Sequence, residues 1–425
     1  MASAAPARVM MTAPERSTAW RWNMITLLTL SQAIAFIDRV NLSVAAPVLI
    51  KQFHYTPVAL GLLFSIFNWV NTISQVLSGP FVDKVRARVG YTLGVFLWSF
   101  ATVLCGTTTA FAPLAAYRGL VGVGEGPMIP SGQRIIFESF PKSQRSTVVS
   151  MFFAGNKIGL ALGIPFTAIL LHTWGLPWAF YITGGLGFVW ITWFRRSYRE
   201  SGQVATAAKS DIRWSTLLRY RTTWGLMLGQ AGYLYTYYVF ASWLPGYLVL
   251  QRKMTVLNSG FVGMLPFIIG VAVTIFGGWV GDRLVIRGMR VTVVRKTLSV
   301  GGLFAAAVFT LLAAYTSGMW LAVTFLTLAI AGFSFATGSI QSMAVDIAPS
   351  HMVSSLVALQ NFGGNVAGSF APVVTGLLIS AGGNFQIPLL VTAAIVLVFG
   401  CGGFGLIVKN LDHTLGSALA KGASA

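Results

Sequence analysis

Six charged residues of this sequence lie inside long apolar runs, where charge is costly. They are Asp38, Arg39, Arg118, Glu125, Arg134 and Lys157. A charge at the centre of a membrane-spanning helix costs about 2.5–3.5 kcal/mol on insertion scales, so such residues pair with one another or face a wet cavity. Arginine and lysine bind carboxylates, and buried carboxylates take up protons more readily than exposed ones. The set therefore indicates a site for an anion whose movement is coupled to protons.

We assign the two acids and three of the bases separate roles. All four histidines lie in loops or in the tail, so proton coupling is assigned to Asp38 and Glu125. Arg39 is the candidate ligand for a substrate carboxylate, with Arg118 and Lys157 supplementing its field. Arg118 and Glu125 are about two helical turns apart. The alternative to a role in transport is therefore a structural ion pair between them. Lys157 is equally suited to be a structural lysine whose ammonium reaches the interface.

Neutral polar side chains in the apolar runs extend the candidate binding site. The candidates are Asn156, Tyr233, Tyr237, Gln341 and Asn361. Their amide and hydroxyl groups suit hydrogen bonds to a substrate's hydroxyls. Tyr235 and Tyr238 lie on another face of the same run and are equally suited to be anchors at the membrane interface. Arg134 has Glu138 four residues later, which favours a structural ion pair.

The composition identifies the elements that must hold these residues. The chain has 425 residues, of which 55% are hydrophobic and only 9% charged, and its mean hydropathy is +0.74. This excludes a soluble globular protein and a disordered chain. Since a spanning helix needs about 20 apolar residues, roughly a dozen spans fit. We predict spans at 24–49, 57–80, 90–110, 113–138, 146–170, 176–194, 223–249, 258–280, 293–314, 318–346, 352–379 and 386–408.

The basic residues test this layout, because positive charge near span ends is retained in the cytoplasm. With both termini inside, 22 lysines and arginines lie on the cytoplasmic side and 3 on the other. This distribution explains the net charge of +19 without a nucleic-acid partner. The sequence predicts a cytoplasmic leader at 1–23 that is not a cleaved signal peptide, six-helix halves at 24–194 and 223–408, a cytoplasmic linker at 195–222 and a cytoplasmic tail at 409–425.

A repeated turn relates the two halves. Each half carries a glycine and an aspartate followed by a basic residue after its second span, at Gly79 to Lys84 and at Gly278 to Arg283. Such internal repeats are typical of transporters. The chain resembles the major facilitator superfamily through these turns. It resembles more narrowly the anion:cation symporter family, through 36–41, Arg118 with 124–126 and Pro130, 243–248, and Asn361 within 360–364.

The resemblance implies fold, location and function. It implies an all-α membrane protein of twelve transmembrane helices in two pseudo-symmetric six-helix halves, located in a bacterial inner membrane. It implies a proton-coupled symporter that imports an organic anion by alternating access, such as an aldonate, a hexarate or another mono- or dicarboxylate. The residues assigned to gating are Asp83, Lys84, Arg145, Asp282 and Arg283.

Other functional classes fit the sequence less well. Export of cationic drugs needs acids without basic partners, and phosphate-linked exchange has no evident need for both Asp38 and Glu125; both remain alternatives. An enzyme is not expected, because the segment Gly332 to Ala336 resembles a nucleophile elbow but has no histidine partner. The two cysteines give neither a disulfide framework nor a metal-binding spacing. We expect no cofactor, and a monomer whose partners are a small anion, protons and lipid.

Overall fold

The computed structural model describes residues 17–140, 142–198, 217–347 and 353–409, and this part of the chain consists of helices joined by short turns. The helices are α1 (Thr18–Phe53), α2 (Pro57–Val85), α3 (Ala87–Cys105), α4 (Phe111–Glu125), α5 (Met128–Ser139), α6 (Lys142–Thr173), α7 (Leu176–Ser197), α8 (Arg221–Leu250), α9 (Val256–Ile286), α10 (Val291–Tyr315), α11 (Met319–Ile347), α12 (Val353–Gly382) and α13 (Gln386–Ile395), which continues as π-helical turns to Ile407.

The twelve predicted spans are confirmed, with one difference in the fourth. Nine helices in the described ranges are long and apolar enough by themselves to cross a membrane. The fourth span was predicted as a continuous helix over 113–138, but the structure breaks it into α4 and α5. The break falls at Gly126 and Pro127, because proline has no backbone N–H and its ring clashes with the preceding turn.

The helix ends define two faces of the bundle. The terminal face holds the first residue of α1 and the last turns of α13, and the distal face holds the turns at 53–57, 105–111, 173–176, 250–256, 315–319 and 382–386. Lys51, Arg252 and Lys253 all lie at the distal face. These are the three basic residues that the predicted layout assigns to the side opposite the other 22. They therefore lie together at one end of the molecule.

The first six and the last six spans meet near the distal face. The Ser43 hydroxyl of α1 donates to the carbonyl of Ala241 in α8 at 3.2 Å, and the Ser65 hydroxyl of α2 accepts from the Val373 backbone N–H of α12 at 3.2 Å. Deeper in the bundle, the Lys157 ammonium of α6 donates to the Thr274 hydroxyl of α9. These contacts close the interior of the bundle toward the distal face.

Glycines let α6 approach α1 closely. A Cβ at Gly159 would lie 2.7 Å from the Cβ of Phe36 and 2.9 Å from the Cα of Ala33, and one at Gly163 would lie 3.0 Å from the Cα of Ile37. In lipid, such close backbone packing supplies much of the attraction between helices. These glycines therefore pack α6 closely against α1, which carries Asp38 and Arg39.

Gly159→Ala should lower the melting temperature of the purified protein by at least about 3 °C, because the added methyl group overpacks a backbone contact. Gly185→Ala is the matched control, since a Cβ at Gly185 of α7 would meet nothing within 4 Å. Alanine favours helix over glycine, so the control should keep or raise the melting temperature. Equal effects of the two substitutions would contradict the packing role of Gly159.

Candidate functional site

An arginine–glutamate pair lies at the centre of the first six spans. The Arg39 Nε of α1 donates to Glu125 Oε2 at the end of α4 over 2.8 Å, and its Nη2 donates to the same oxygen. The Glu125 side chain is fully buried, whereas the Arg39 side chain keeps 16% exposure. The other carboxylate oxygen of Glu125 has no hydrogen-bond partner among the described residues. Arg39 therefore binds a buried carboxylate while part of its own side chain remains exposed.

Asp38 and Arg118 lie beside this pair in a drier environment. Asp38 is 0% exposed, and its carboxylate forms no ion pair with a basic side chain in the described ranges. Arg118 Nη1 donates over 3.3 Å to the Asp38 backbone carbonyl and not to its carboxylate. A buried ionised carboxylate without a partner is very costly, so Asp38 is suited to hold a proton in this arrangement.

A cavity lies between the two groups of six spans, directly against Arg39. Its unfilled space, part of which is open to solvent, is about 390 Å³, and it is lined by Arg39 and Arg118 from the first half and by Tyr237 and Tyr238 from α8. The part of it that is open to a water-sized molecule is about 30 Å³, room for about two waters, so the cavity is narrow in this conformation. The cavity therefore offers an anionic ligand two guanidinium groups and, on the opposite wall, two phenols.

Phenylalanine rings support both arginines. The Arg39 guanidinium carbon lies 4.4 Å from the centroid of the Phe36 ring and 5.0 Å from that of Phe67, and the Arg118 guanidinium carbon lies 4.8 Å from the Phe67 centroid. A cation over an aromatic face is stabilised by the ring's quadrupole. The rings hold the guanidinium groups in place without neutralising them, so their charge remains available to a ligand.

The second half contributes a network of neutral hydrogen bonds. The Tyr238 hydroxyl donates to Asn365 Oδ1 at 3.1 Å, and the Tyr233 hydroxyl lies 3.0 Å from the Thr337 hydroxyl. Asn361 Oδ1 accepts from Gln230 at 3.5 Å. The wall that faces the arginines is therefore polar but carries no charged side chain among the residues that line the cavity.

The other candidate residues do not line the cavity, and their burial and hydrogen-bond partners differ. Lys157 bonds to Thr274 across the halves and does not line the cavity. Asn156 is half-buried, and its Oδ1 has no hydrogen-bond partner in the part of the chain that the structure describes. Gln341 is exposed in α11. Of the eight residues proposed to bind substrate, Arg39, Arg118 and Tyr237 are brought together around the cavity.

The terminal face carries the residues assigned to gating. Asp282 lies 3.4 Å from Arg295, which also binds Asp346 at 2.9 Å, while Lys84 and Arg283 are exposed. The side chains of Asp83 and Arg145 lie outside the described residues. The ion pair predicted between Arg134 and Glu138 is confirmed, with Nε and Oε1 2.8 Å apart.

Several residues of the site were not predicted from the sequence. Tyr238 lines the cavity, although its spacing suited an interfacial anchor equally well. Asn68 could have been found, because Asn68, Asn71 and Gln75 form a polar stripe on an otherwise apolar span. Phe36 and Phe67 carried no distinguishing pattern, since phenylalanine occurs throughout the chain. Among the described residues, no cluster of metal-ligating side chains lies in the cavity or elsewhere.

The sequence matches one family model and several proteins that are named as transporters. The model of the Major Facilitator Superfamily matches residues 28–372. A protein of Escherichia coli (strain K12) named as a probable L-galactonate transporter is 30% identical over 87% of this chain and 85% of its own length. The D-galactonate transporter of Escherichia coli O6:H1 is 29% identical over 92% of this chain and 96% of its own. A probable galactarate/D-glucarate transporter of Bacillus subtilis is 28% identical over 87% and 88%.

Comparison of structures supports the same fold. A bacterial homologue of the human lysosomal transporter Spinster, in an inward-facing and unoccupied conformation, superposes with a TM-score of 0.80 at 18% identity, covering 92% of this chain and 97% of that one. The D-xylose–proton symporter superposes with a TM-score of 0.76 at 14% identity, covering 93% and 100%. At these identities the likeness concerns the arrangement of the helices alone.

Proposed function

Because the chain belongs to the major facilitator superfamily, we propose that it is a proton-coupled symporter that imports an organic carboxylate by alternating access. It is a multi-pass membrane transporter and not an enzyme. We place it in a bacterial inner membrane with both termini in the cytoplasm. The relatives named for galactonate and glucarate make sugar acids the first candidates for its substrate.

The observation that carries the proposal is the Arg39–Glu125 pair at the edge of the cavity. We propose that a substrate carboxylate binds Arg39 by displacing Glu125, which is then a buried carboxylate without its cation. Breaking a buried pair in this way is strongly unfavourable unless the acid is neutralised. Protonation of Glu125 removes that penalty, so anion binding and proton binding favour each other.

Asp38 provides a second place for a proton. Its carboxylate is fully buried one residue before Arg39, and Arg118 binds its backbone and not its acid group. We propose that protons from outside load Asp38 and Glu125, that Arg39 then takes the anion, and that the two halves rock to open the other face. Loss of the Glu125 proton inside restores the Arg39–Glu125 pair and expels the substrate, and Asp38 releases its proton inside before the next cycle.

The closed distal face fits one state of this cycle. If the termini are cytoplasmic, the contacts of Ser43 with Ala241 and of Ser65 with Val373 seal the site from the outside. We take the structure as a state in which the site is closed to the outside and the internal ion pair is formed. A pH gradient supplies about 1.4 kcal/mol per unit to each proton that enters with the substrate.

Reconstitution in liposomes tests this function. We expect one labelled acid from a panel of gluconate, galactonate, glucarate, tartrate and phthalate to accumulate when the outside is more acidic. A protonophore should abolish the accumulation. If no acid accumulates under any gradient while internal phosphate drives exchange, the protein is an anion exchanger and the symport proposal is wrong.

Lys157→Met should leave the affinity for substrate within about threefold of wild type, because Lys157 bonds to Thr274 and does not line the cavity. The dissociation constant, measured by calorimetry on the purified protein, checks this. Thr274→Val is the matched control, since it removes the same cross-half hydrogen bond but keeps the ammonium. A loss of more than about tenfold in Lys157→Met alone would instead make Lys157 a direct ligand.

A further inference from the structure

The helix break beside Glu125 is bonded to side chains of α2. We propose that Asn71 and Ser74 hold the broken turn and thereby direct the Glu125 carboxylate at Arg39, which makes them positioning residues for proton coupling. This inference rests on the proposed function, because it takes the Arg39–Glu125 pair as the link between proton and substrate. It adds two residues that contact neither substrate nor proton and act through Glu125.

The break after Glu125 changes the backbone hydrogen bonds of α4. In a continuous helix each carbonyl accepts from the N–H four residues later. Pro127 has no N–H for the Val123 carbonyl, and the Gly126 N–H donates to Val123 at 3.2 Å. The Gly122 carbonyl thereby loses its regular donor. In lipid an unbonded carbonyl is costly, and side chains of neighbouring helices supply the missing bonds.

Two side chains of α2 supply these bonds. The Asn71 amide donates to the Gly122 carbonyl at 3.2 Å, and the Ser74 hydroxyl donates to the Val123 carbonyl at 2.9 Å. Asn71 Oδ1 accepts from Gln75 at 2.6 Å, so the nitrogen of the Asn71 amide is the end that faces α4. Both carbonyls that the break affects are therefore bonded to α2.

Glycines bring the break into direct contact with α2. A Cβ at Gly126 would lie 2.1 Å from the Ser74 hydroxyl oxygen, and a Cβ at Gly122 would lie 2.8 Å from the Phe67 carbonyl oxygen. Such close approach of two helices needs residues without side chains. The broken turn is thus fixed to α2 by packing as well as by two hydrogen bonds.

This turn sets the direction of the Glu125 side chain. Glu125 is the last residue of α4, between the two bonded carbonyls and Pro127, and its Oε2 lies 2.8 Å from Arg39 Nε. A hydrogen bond weakens steeply as its distance and angle depart from the optimum, so a small rotation of the turn weakens the pair. Arg39 is then free to take an anion while Glu125 is still ionised, and substrate binding no longer requires the proton.

Labelling with dicyclohexylcarbodiimide tests the position of Glu125 in the purified full-length protein without any substrate. The reagent modifies protonated carboxyl groups, and a buried carboxylate that loses its cation takes up a proton more readily. Mass spectrometry gives the labelling rate of Glu125 relative to that of Asp38, a buried acid of α1 whose rate reports general loosening. At neutral pH we expect this ratio to rise at least about threefold in Asn71→Leu and in Ser74→Ala.

Two variants of α2 serve as matched controls. Ser78→Ala removes a hydroxyl that donates to the Ser74 carbonyl at 2.6 Å, and Thr72→Val removes one that donates to the Asn68 carbonyl at 2.8 Å. Both bonds lie within α2, so neither variant should change the labelling ratio. An unchanged ratio in Asn71→Leu or in Ser74→Ala would overturn the role of that residue. An equal rise in the controls would overturn the inference as a whole.

Transport in proteoliposomes shows whether the position of Glu125 matters for coupling. Wild type should accumulate the transported acid of the liposome panel about tenfold per pH unit for one proton, and Asn71→Leu and Ser74→Ala less than about threefold. Exchange of the same acid should stay within about threefold of wild type in both variants. Parallel losses of accumulation and exchange would instead show a purely structural role and overturn the inference.

The inference and the proposed function fail in different ways. If the Glu125 labelling ratio rises in the two variants but wild type accumulates no acid, α2 positions Glu125 and proton-coupled import is wrong. If wild type accumulates an acid and the labelling ratio does not change in either variant, proton-coupled import stands and the positioning role of α2 is wrong.

Discussion

Glu125→Gln should abolish accumulation of substrate driven by a pH gradient and leave substrate exchange within about threefold of the wild-type rate. Glutamine keeps the volume of the side chain and can still accept a hydrogen bond from Arg39, but it cannot carry a proton. The wild type should accumulate substrate about tenfold per pH unit for each proton, whereas the variant should only equilibrate it. Uptake and counterflow of labelled substrate in the same proteoliposomes measure both quantities.

The matched control is Glu138→Gln. Glu138 is likewise paired with an arginine, with 2.8 Å between Arg134 Nε and Glu138 Oε1, but Arg134, unlike Arg39, does not line the cavity. We expect this control to accumulate substrate like the wild type even if its melting temperature falls. Normal accumulation by Glu125→Gln would show that Glu125 is not part of the coupling, and the proton would then have to move through Asp38 alone.

Arg39→Lys should weaken substrate binding by about 100-fold although it keeps the positive charge. Arginine can present two N–H groups to one carboxylate, and its planar guanidinium packs on the Phe36 and Phe67 rings. A lysine ammonium is a compact, strongly hydrated charge that reproduces neither geometry. The dissociation constant for the transported acid, measured by calorimetry, checks the loss.

A distant arginine provides the control for this substitution. Arg252 also packs against an aromatic ring, 5.2 Å from the Tyr247 centroid, and donates to the Ser317 carbonyl at 2.7 Å near the distal face. Arg252→Lys should affect stability and leave substrate affinity unchanged. If Arg39→Lys binds substrate within about threefold of wild type, the carboxylate ligand is another residue. Among the described residues that line the cavity, Arg118 is the other cation.

The two substitutions address opposite partners of one ion pair. Removing the proton carrier should uncouple transport without loss of affinity, and altering the cation should cost affinity at every pH. This contrast follows from the proposal that substrate displaces Glu125 from Arg39, the partner it has in this structure. If both variants lose substrate affinity equally, the Arg39–Glu125 pair has a structural role and does not couple proton binding to substrate binding.

The sequence by itself determined the helices and the charged residues that matter. In lipid every backbone N–H and C=O must be bonded within its own helix, so apolar length alone located the spans. A charge inside a membrane is energetically unfavourable, and this likewise identified Asp38, Arg39, Arg118 and Glu125 before any contact was known. The break at Pro127 was missed because the apolar run continues across it.

Only the tertiary structure decided which of these residues meet. Along α4, Glu125 could pair with Arg118 two turns away, but it binds Arg39 of another helix. Lys157 bonds to Thr274, 117 residues later in the chain. The cavity lining combines Phe36, Phe67 and Tyr238 from three helices. Hydropathy fixes where a helix crosses the membrane, whereas its rotation and its neighbours are set by side-chain packing between helices that are distant in sequence.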